Sequence, residues 1–390
     1  MRAFRLDAID LLFFRDGTPF NAGESGFLPS RFPPTPVSAY GFARAVLVES
    51  QCHNVVLYVN RGCSECDRRD SCAVSGVVGD PSKRDGTLSI RGPYLAAGGS
   101  RYYKMPLDIC SSQDSEPTQM FPGGVSDDVV ETDLGQMRFP HPGPGRHFYR
   151  DAGLLVVEES GLLSYLRGES IDLGKVRSLA PLGEPFECLC DMESRVGISI
   201  DSSKGRARDH HLYQIEMVRP RPGTSINITL EEGGSQVNDG DSFIMRFGGE
   251  GRVVHVSVVD QPPFAVPPVA EIISKHHRFR LVLLQDANFQ GSWIPPGLTR
   301  SQDETSAFSG TLNGVKVKLV SATIGRAARA GGWDTSRNRP RDLVPLVPAG
   351  SVYYFESEES SGDEIMKAFH DRKVGVETHL GFGHCVVGVW

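Results

Sequence analysis

Short apolar segments, repeatedly interrupted by glycine and proline, are the feature that most limits how this sequence can fold. The 390 residues include 43 glycines and 26 prolines, which break helices and favour turns. Residues 3–9 alternate apolar and polar side chains, the pattern of a half-buried strand. The last twelve residues, HLGFGHCVVGVW, place two glycines directly before a strand-like run. The sequence therefore predicts short strands and helices joined by many loops.

The second half of the chain shows the clearest order of elements. Strands are predicted at 252–259, 279–284, 315–320, 352–355 and 385–389, and helices at 269–276 and 363–369. This order approximates βαββαβ, the ferredoxin-like arrangement. We therefore predict an α+β protein with two ferredoxin-like (RRM-like) domains and long loop insertions. The turn-forming PRPG at 220–223 predicts a boundary between a domain at 1–220 and a domain at 221–390.

The first half carries weaker signals of a similar order. Thr35 and Pro36 supply an N-cap and a first-turn proline, which together predict the start of a helix. A strand is predicted at 55–59, a short helix at 161–168, and paired strands at 195–200 and 211–218. A cysteine-rich insertion near 52–72 interrupts the predicted N-terminal domain.

Charge and hydropathy argue against several classes of protein. The net charge of −7 argues against a protein that coats nucleic acid over its whole surface, but it is compatible with a local basic groove. No apolar run reaches the length of a membrane span. Arg5, Asp7 and Asp10 interrupt the N-terminal apolar stretch, which lacks the layout of a signal peptide. We therefore expect a cytoplasmic protein without membrane contact, whose eight cysteines are thiols or metal ligands.

Four glycine-rich runs recur along the chain. They are FFRDGTPFNAGE at 13–24, GGEGR at 248–252, GRAARAGGWD at 325–334 and GFG at 381–383. Glycine has no Cβ, so the backbone N–H groups of such a run are accessible to phosphate oxygens. Taken alone, the terminal run is explained better by a tight turn with C-cap glycines.

The ordered set of motifs resembles the RAMP superfamily of CRISPR-associated proteins, and in particular the third Cmr subunit of the type III-B RNA-guided effector complex. The resemblance spans nearly the whole chain, through LFFRDGTPFNAGE, FPPTP, RVGISID, FGGEGR, GGWD, VPAGSVYYFE and the terminal HLGFGHCVVG. It implies two ferredoxin-like domains, no catalysis, and a grip on the 5′ tag of the CRISPR RNA. It also implies contacts with the large polymerase-like subunit and a backbone RAMP subunit, with target RNA engaged indirectly during antiviral defence.

Residues that would hold single-stranded RNA are cations for its phosphates and flat groups that stack on its bases. The predicted RNA-binding residues are Phe14, Arg15, Asp16, Arg246, Gly249, Arg252, Arg326, Arg329, Trp333, Gly381, Gly383 and His384. Among them, Phe14 and Trp333 are expected to stack, and Asp16 to bond a 2′-OH or a base edge. The window around Trp333 is the most basic of the chain, although any single arginine is more often a solvated surface residue.

The cysteines of the insertion have the spacing of metal ligands. CSECDRRDSC places Cys63, Cys66 and Cys72 in a C-x2-C-x5-C pattern, and Cys52 lies just upstream. Four thiolates from a short segment can surround one tetrahedral ion. We predict a structural zinc held by these four cysteines. A [4Fe–4S] cluster is the rival, because the spacing resembles that of a CRISPR-associated exonuclease with an iron–sulfur cluster, and unliganded loop thiols are the third possibility.

Two other functions compete with the RNA anchor. The first is a metal-independent endoribonuclease that processes CRISPR RNA, because some RAMP relatives use a histidine near a glycine-rich loop as a general acid or base. His384, His210 and His211 are its candidate residues. The second is an interaction protein that holds neighbouring subunits without touching RNA, which leaves the arginines around Trp333 unexplained.

Overall fold

A computed structural model describes residues 1–15, 26–81, 86–112, 118–301, 308–334 and 339–390. Side chains at 208–211, 333–334 and 340 lie outside that description. The α-helices are α1 Pro36–Gln51, α2 Val55–Arg61, α3 Ser75–Val78, α4 Glu159–Leu166, α5 Ala270–His276 and α6 Gly362–Phe369. No described helix combines the length and the apolar character needed to cross a membrane.

Strands make up most of the regular structure. The strands of the first half are β1 Arg2–Ala8, β2 Gly26–Leu28, β3 Ser89–Ala97, β4 Ser100–Lys104, β5 Ile109–Ser112, β6 Gln119–Pro122, β7 Gly124–Thr132, β8 Gly135–His141, β9 Arg146–Phe148, β10 Leu155–Glu158, β11 Ile171–Asp172, β12 Val176–Ser178, β13 Cys190–Asp201 and β14 Arg206–Pro220. The strands of the second half are β15 Thr224–Glu232, β16 Ser242–Arg246, β17 Val253–Asp260, β18 Arg278–Leu283, β19 Leu298–Arg300, β20 Phe308–Leu312, β21 Val315–Thr323, β22 Ala328–Ala330, β23 Trp333–Asp334, β24 Arg339–Pro340, β25 Val344–Leu346, β26 Val352–Glu356, β27 Arg372–Lys373 and β28 His384–Gly388.

The chain divides into two compact units, and neither is a continuous stretch of sequence. The first unit comprises 1–98, 189–262 and 329–344, and the second comprises 99–188, 263–328 and 345–390. The boundary predicted near residue 220 falls inside the first unit, because β14 and β15 on either side of it both belong there. Long-range strand pairing, which the sequence order does not display, is the reason for this arrangement.

The first unit is built on the antiparallel order β3-β15-β1-β17-β16. The first four of these strands have the spatial order of a ferredoxin-like sheet, and α1 forms the crossover from β1 to β3. Thr35 caps α1, since its side chain accepts from the backbone N–H of Ser38 at 3.3 Å, and this confirms the predicted helix start. The described residues between β15 and β17 hold a short 3-10 turn and β16 but no second crossover helix.

The strand predicted at 55–59 is wrong, because these residues form α2. The valine-rich run was the signal for a strand, yet Val56 and Val59 are 71% and 64% exposed. Asn54 caps the helix instead, because its side-chain oxygen accepts from the N–H of Leu57 at 2.9 Å. A single capping bond therefore outweighed a weak β-propensity in a segment without a sheet partner.

The second unit contains a seven-stranded sheet in the order β19-β20-β21-β26-β18-β28-β27. Its inner strands β21, β26, β18 and β28 are antiparallel and again have the ferredoxin-like order. Here α6 forms the second crossover, but α5 precedes β18, where the complete βαββαβ motif would place a helix after that strand. The α+β class is therefore confirmed, whereas neither unit shows the complete motif in its described residues.

Smaller sheets extend both units. In the first unit, β13 and β14 form a long antiparallel hairpin with β2 parallel at its edge, which confirms the predicted strand pair. In the second unit, β10 pairs with β12 and β4, a four-stranded sheet has the order β11-β6-β5-β9, and β7 and β8 form a hairpin. The predicted helix at 161–168 is confirmed as α4, and the predicted helix at 363–369 as α6.

A buried ion pair ties together the three stretches of the second unit. Arg280 on β18 is 3% exposed and lies 3.0 Å from Asp108, which is fully buried. The hydroxyls of Tyr165 and Tyr354 each donate to Asp108 at 2.6 Å. Burial raises the pKa of both tyrosines, so their hydroxyls stay protonated and remain donors.

The rest of the Arg280 guanidinium is also satisfied. Its Nε donates to the carbonyl of Val389 at 2.7 Å and its Nη2 to that of Gly123 at 3.2 Å. Burial by itself lowers the pKa of Arg280, but the neighbouring Tyr165 and Asp108 reverse that effect and raise it, so the side chain stays charged. A buried charge is tolerated only when it is paired and hydrogen-bonded in this way.

We predict that Arg280→Ala destabilises the second unit by about 3–5 kcal/mol, because it leaves the Asp108 carboxylate buried and unpaired. Arg278→Ala is the matched control on the same strand, since Arg278 pairs with Glu356 at 3.1 Å but is 38% exposed. That control should cost about 1 kcal/mol or less. Equal losses in denaturant unfolding of the two variants would refute the central role of the buried pair.

We also predict a pH dependence from His370. Burial lowers the pKa of His370 below its ordinary 6.5. The neutral ring suits its partners, because Nε2 lies 3.0 Å from the carbonyl of Ala265 while Nδ1 accepts from the N–H of Val387 at 3.3 Å. Below about pH 6.5 the unfolded chain takes up a proton that the folded chain does not. The unfolding free energy should therefore decrease as the pH is lowered, by up to about 1.4 kcal/mol per pH unit.

The variant His370→Gln tests this prediction by comparison of two unfolding series, measured from neutral pH down to about pH 5. The difference between wild type and variant isolates the histidine, since all other titrating groups are shared. The wild type should lose stability faster than the variant as the pH falls. Parallel curves would show that the proton uptake of His370 does not differ between the folded and unfolded states.

Candidate nucleic-acid interface

The segment that follows β1 is anchored in the first unit by its aromatic residues. Leu12 pairs with Val218 of β14 in a two-way backbone bridge, with N–O distances of 2.8 and 2.9 Å. Phe13 and Phe14 come next and are 3% and 4% exposed. The rings of Phe14 and Phe247 pack edge to face, with their centroids 4.9 Å apart. The predicted stacking of Phe14 on an RNA base is therefore not supported, because the ring lies in the core.

The GGEGR turn packs directly against this segment. The N–H of Gly249 donates to the carbonyl of Phe13 at 2.8 Å. Gly248 has a φ of +90°, and a Cβ there would lie 2.5 Å from the same carbonyl oxygen. The glycines of this turn therefore permit close approach of the protein's own backbone. Gly249 itself remains exposed.

A third stretch fixes the backbone of Phe14 from the other side. The hydroxyl of Ser30 accepts from the N–H of Phe14 at 3.0 Å, and the N–H of Arg31 donates to the carbonyl of Phe14 at 2.8 Å. The guanidinium of Arg31 donates in turn to the carbonyl of Arg329 at 3.0 Å. Arg31 thus links the backbone of Phe14 to a segment about 300 residues away in sequence.

Four arginines belong to the segments joined by these contacts, and we call them the arginine group: Arg15, Arg31, Arg246 and Arg329. Three of the four, Arg15, Arg246 and Arg329, are exposed, and Arg31 is half-buried. Arg31 was not among the sequence predictions, although SRFPP places it directly before the predicted helix start. Exposed guanidinium groups on a rigid backbone can bind phosphate oxygens in pairs of hydrogen bonds.

Arg252, predicted as a phosphate ligand, is already engaged. Its Nη1 donates to the carboxylate of Asp10 at 3.0 Å and its Nη2 to the sulfur of Met217 at 3.4 Å. The side chain is 20% exposed. Its contacts are those of a residue that holds the GGEGR turn against β1 and β14, and they do not favour the predicted contact with RNA.

The terminal glycine loop is buried in the second unit. Gly383 has a φ of +70°, and a Cβ there would collide with the carbonyl oxygen of Val374. Its N–H donates to the carbonyl of Asp286 at 2.8 Å, and its carbonyl accepts from the N–H of Val374 at 2.9 Å. Gly381, also buried, has a φ of +104° and closes a 3-10 turn. The predicted approach of RNA to these glycines is not supported, because protein backbone occupies the space around Gly383.

His384 does not have the setting of an acid/base catalyst. It is 2% exposed, and its Nε2 lies 2.9 Å from the carboxylate of Asp371. The backbone carbonyl of His384 accepts from the N–H of Leu284 at 2.7 Å. The histidine is therefore a structural residue at the start of β28. The side chains of His210 and His211 lie outside the described residues.

The remaining predicted residues fall in different places. Arg326 is exposed and belongs to the second unit. The backbone of Trp333 forms the short strand β23, which pairs with β24, but its side chain lies outside the described part of the chain. Asp16 also lies outside the described residues.

The four cysteines of the insertion all lie in the first unit. Cys52, Cys63, Cys66 and Cys72 all line one cavity, which His53 also borders. Burial raises the pKa of the Cys63 thiol, and the thiols of Cys52, Cys72 and Cys66 raise it further, as expected for neighbouring groups. Each of the four is half-buried, whereas Cys110, Cys188, Cys190 and Cys385 are buried elsewhere.

Comparison with known proteins identifies the family. A profile described as CRISPR-associated protein (Cas_Cmr3) matches residues 4–390. The chain belongs to the Cas_Cmr3 family. This match over nearly the whole chain confirms the resemblance to the third Cmr subunit, a component of type III CRISPR effector complexes. A comparison with curated protein sequences finds no match.

Solved structures of CRISPR complexes contain chains similar to this member of the Cas_Cmr3 family. A chain of the type III-B Cmr-beta bound to cognate target RNA and AMPPnP shares 13% identity over 91% of this chain and 86% of its own, with a TM-score of 0.48. A chain of Cmr-beta bound to cognate target RNA shares 16% over the same fractions, with a TM-score of 0.45. A chain of the Csm1–Csm4 cassette in complex with cA4 shares 12% over 100% and 94%, with a TM-score of 0.34.

The packing of the terminal loop predicts that Gly383→Ala destabilises the second unit by at least about 2 kcal/mol, because the φ is left-handed and the Cβ would meet the carbonyl of Val374. Gly314→Ala is the matched control, with a φ of +84° and no atom within 4 Å of the added Cβ. It should cost about 1 kcal/mol from backbone strain alone. Thermal unfolding that ranks the control as the more damaging change would contradict this account.

Proposed function

We propose that this Cas_Cmr3 chain is a non-catalytic subunit of a type III-B CRISPR effector complex that anchors the 5′ tag of the CRISPR RNA. The family match supports the subunit role. The proposal that the bound RNA segment is the 5′ tag rests on the resemblance to the third Cmr subunit. The structural observation that carries RNA binding is the arginine group, whose members come from all three stretches of the first unit.

The charge pattern supports a local site for a polyanion. The chain as a whole carries a net charge of −7, so its average surface repels nucleic acid. Within the arginine group, however, Arg15, Arg246 and Arg329 are exposed cations close to one anchored backbone. Asp10, an acid that shortly precedes this backbone in the sequence, is paired with Arg252. A site of this kind binds phosphates through local attraction, and that attraction weakens as salt rises.

The backbone of the site is ordered before any ligand arrives. Phe247 contacts Phe14 at 4.9 Å and Phe42 of α1 at 4.5 Å, so the turn before Gly249 is held in the core. Hydrogen bonds fix the carbonyl of Phe13 and both polar groups of the Phe14 backbone. Binding then costs mainly the ordering of the arginine side chains, which favours affinity for a flexible strand of RNA.

Three further RNA contacts are proposed from the sequence alone. Trp333 is proposed to stack on a tag base, Asp16 to bond a 2′-OH or base edge, and Arg326 to bind a phosphate from the second unit. The large polymerase-like subunit and a backbone RAMP subunit are the proposed protein partners, and target RNA is met indirectly. The non-catalytic role is favoured by the burial of His384, whose side chain is 2% exposed.

We predict that the double substitution of Arg246→Ala and Arg329→Ala weakens binding of a tagged RNA and flattens its salt dependence. For single-stranded RNA, each phosphate that the variant no longer binds should reduce the slope of log K against log salt by about 0.7. Arg5→Ala is the control, because Arg5 is exposed on the same unit and paired with Asp7 at 3.2 Å. Binding is measured with the chain alone and with its large partner subunit, at several salt concentrations.

The same experiment separates the alternatives when RNA with a scrambled tag is included. Loss of affinity for both RNAs with preference for the tagged RNA retained supports phosphate anchoring by the arginine group. Binding and slope equal to those of the wild type would reject the group as the RNA site. If the wild-type chain cleaves the RNA and His384→Ala abolishes that cleavage, the endoribonuclease hypothesis replaces the anchor hypothesis.

A further inference from the structure

We infer that Cys52, Cys63, Cys66 and Cys72 form a structural zinc site that holds the insertion of the first unit together. The four cysteines line one cavity, although 20 residues separate the first from the last. They reach that cavity from three local elements. Cys52 follows the end of α1, whereas Cys63 begins the 3-10 turn at Cys63–Glu65 and Cys66 follows it. Cys72 follows a second 3-10 turn at Arg69–Ser71. The site shares no residue with the arginine group and does not depend on RNA binding.

The insertion has almost no hydrophobic core of its own. Between Val59 and Ala73, Gly62 is the one buried residue, while most of the others are exposed. The nearest buried apolar side chains are Tyr58 and Val74, one on each side of that stretch. A polypeptide segment that buries so little apolar surface gains too little to offset its loss of conformational entropy, so it needs a cross-link or a metal.

The local backbone presents the cysteines at the ends of tight turns. The N–H of Cys66 donates to the carbonyl of Cys63 at 3.2 Å, which closes the first turn. The N–H of Cys72 donates to the carbonyl of Arg69 at 3.3 Å and closes the second. Cysteines with two residues between them, such as Cys63 and Cys66 on the first turn, can direct both sulfurs to one ion. The exposed surroundings of these turns offer no competing reason for half-buried thiols.

The donor set fits zinc better than other common ions. Four thiolates at a tetrahedral site select zinc or an iron–sulfur cluster, whereas magnesium and calcium need oxygen ligands. Four protein ligands leave no open position for a substrate, so the site is structural. Among the described residues, His53, Cys66 and Asp67 are the one group of three possible metal ligands whose donor atoms lie within 4.8 Å of one another, so the four sulfurs must move closer together to bind one ion.

The test is metal analysis of the full-length chain, purified without chelators under reducing conditions and assayed for zinc, iron and acid-labile sulfide. We expect about one zinc per chain. Cys63→Ser and Cys66→Ser should each lower the zinc content to background, while Ser64→Ala in the same turn should keep it. Addition of a thiol-binding organomercurial to the wild type should release the zinc, a readout that needs no variant to fold.

Limited proteolysis then tests the structural role. Chelation of the wild-type protein should expose the stretch between Val59 and Ala73 to cleavage, and added zinc should restore protection. The inference would be overturned if the purified protein contains no zinc and also binds none after incubation with zinc. Iron with sulfide would overturn zinc in favour of a cluster, and zinc retained by both cysteine variants would overturn the assignment of ligands. None of these readouts involves RNA, so they are independent of the proposed function.

Discussion

The second unit depends on the buried pair of Asp108 and Arg280. A charge of each sign is removed from water, which is tolerated only because every polar atom of the guanidinium finds a partner. The carboxylate accepts from two tyrosine hydroxyls as well, and those tyrosines, Tyr165 and Tyr354, come from different stretches of the chain. The pair thus joins three separate stretches of the unit in one hydrogen-bonded network.

The first unit uses aromatic packing for a comparable purpose. Phe247 lies between Phe14 and Phe42, and the glycines that follow it allow the turn to rest on the Phe13 backbone. The apolar anchor leaves the neighbouring arginines at the surface. Arg31 is held by its hydrogen bond to the carbonyl of Arg329, whereas Arg15, Arg246 and Arg329 are exposed. In both units, therefore, buried contacts of high sequence separation decide where the exposed groups lie.

The comparison of sequence and structure shows which signals were reliable. The capped start of α1 at Pro36 and the strands around β18 were predictable, because a capping residue and an alternating pattern act over a few neighbouring residues. The strand at 55–59 was wrong, because β-branched residues alone do not create a sheet partner. The glycines before β28 were ambiguous for a related reason. A glycine indicates that another group approaches the backbone closely, but it does not indicate whether that group is RNA or, as here, the carbonyl of Val374.

The sequence by itself determined the family, the α+β class, most local elements and the clustering of four cysteines, because each depends on residue types at short spacing. Only the tertiary structure decided that the units are discontinuous, that Phe14 and His384 are buried, and that Arg31 bonds the carbonyl of Arg329. These outcomes depend on contacts between residues up to about 300 positions apart. Short-range patterns carry no information about such contacts, because the free energy that selects them comes from packing the whole unit.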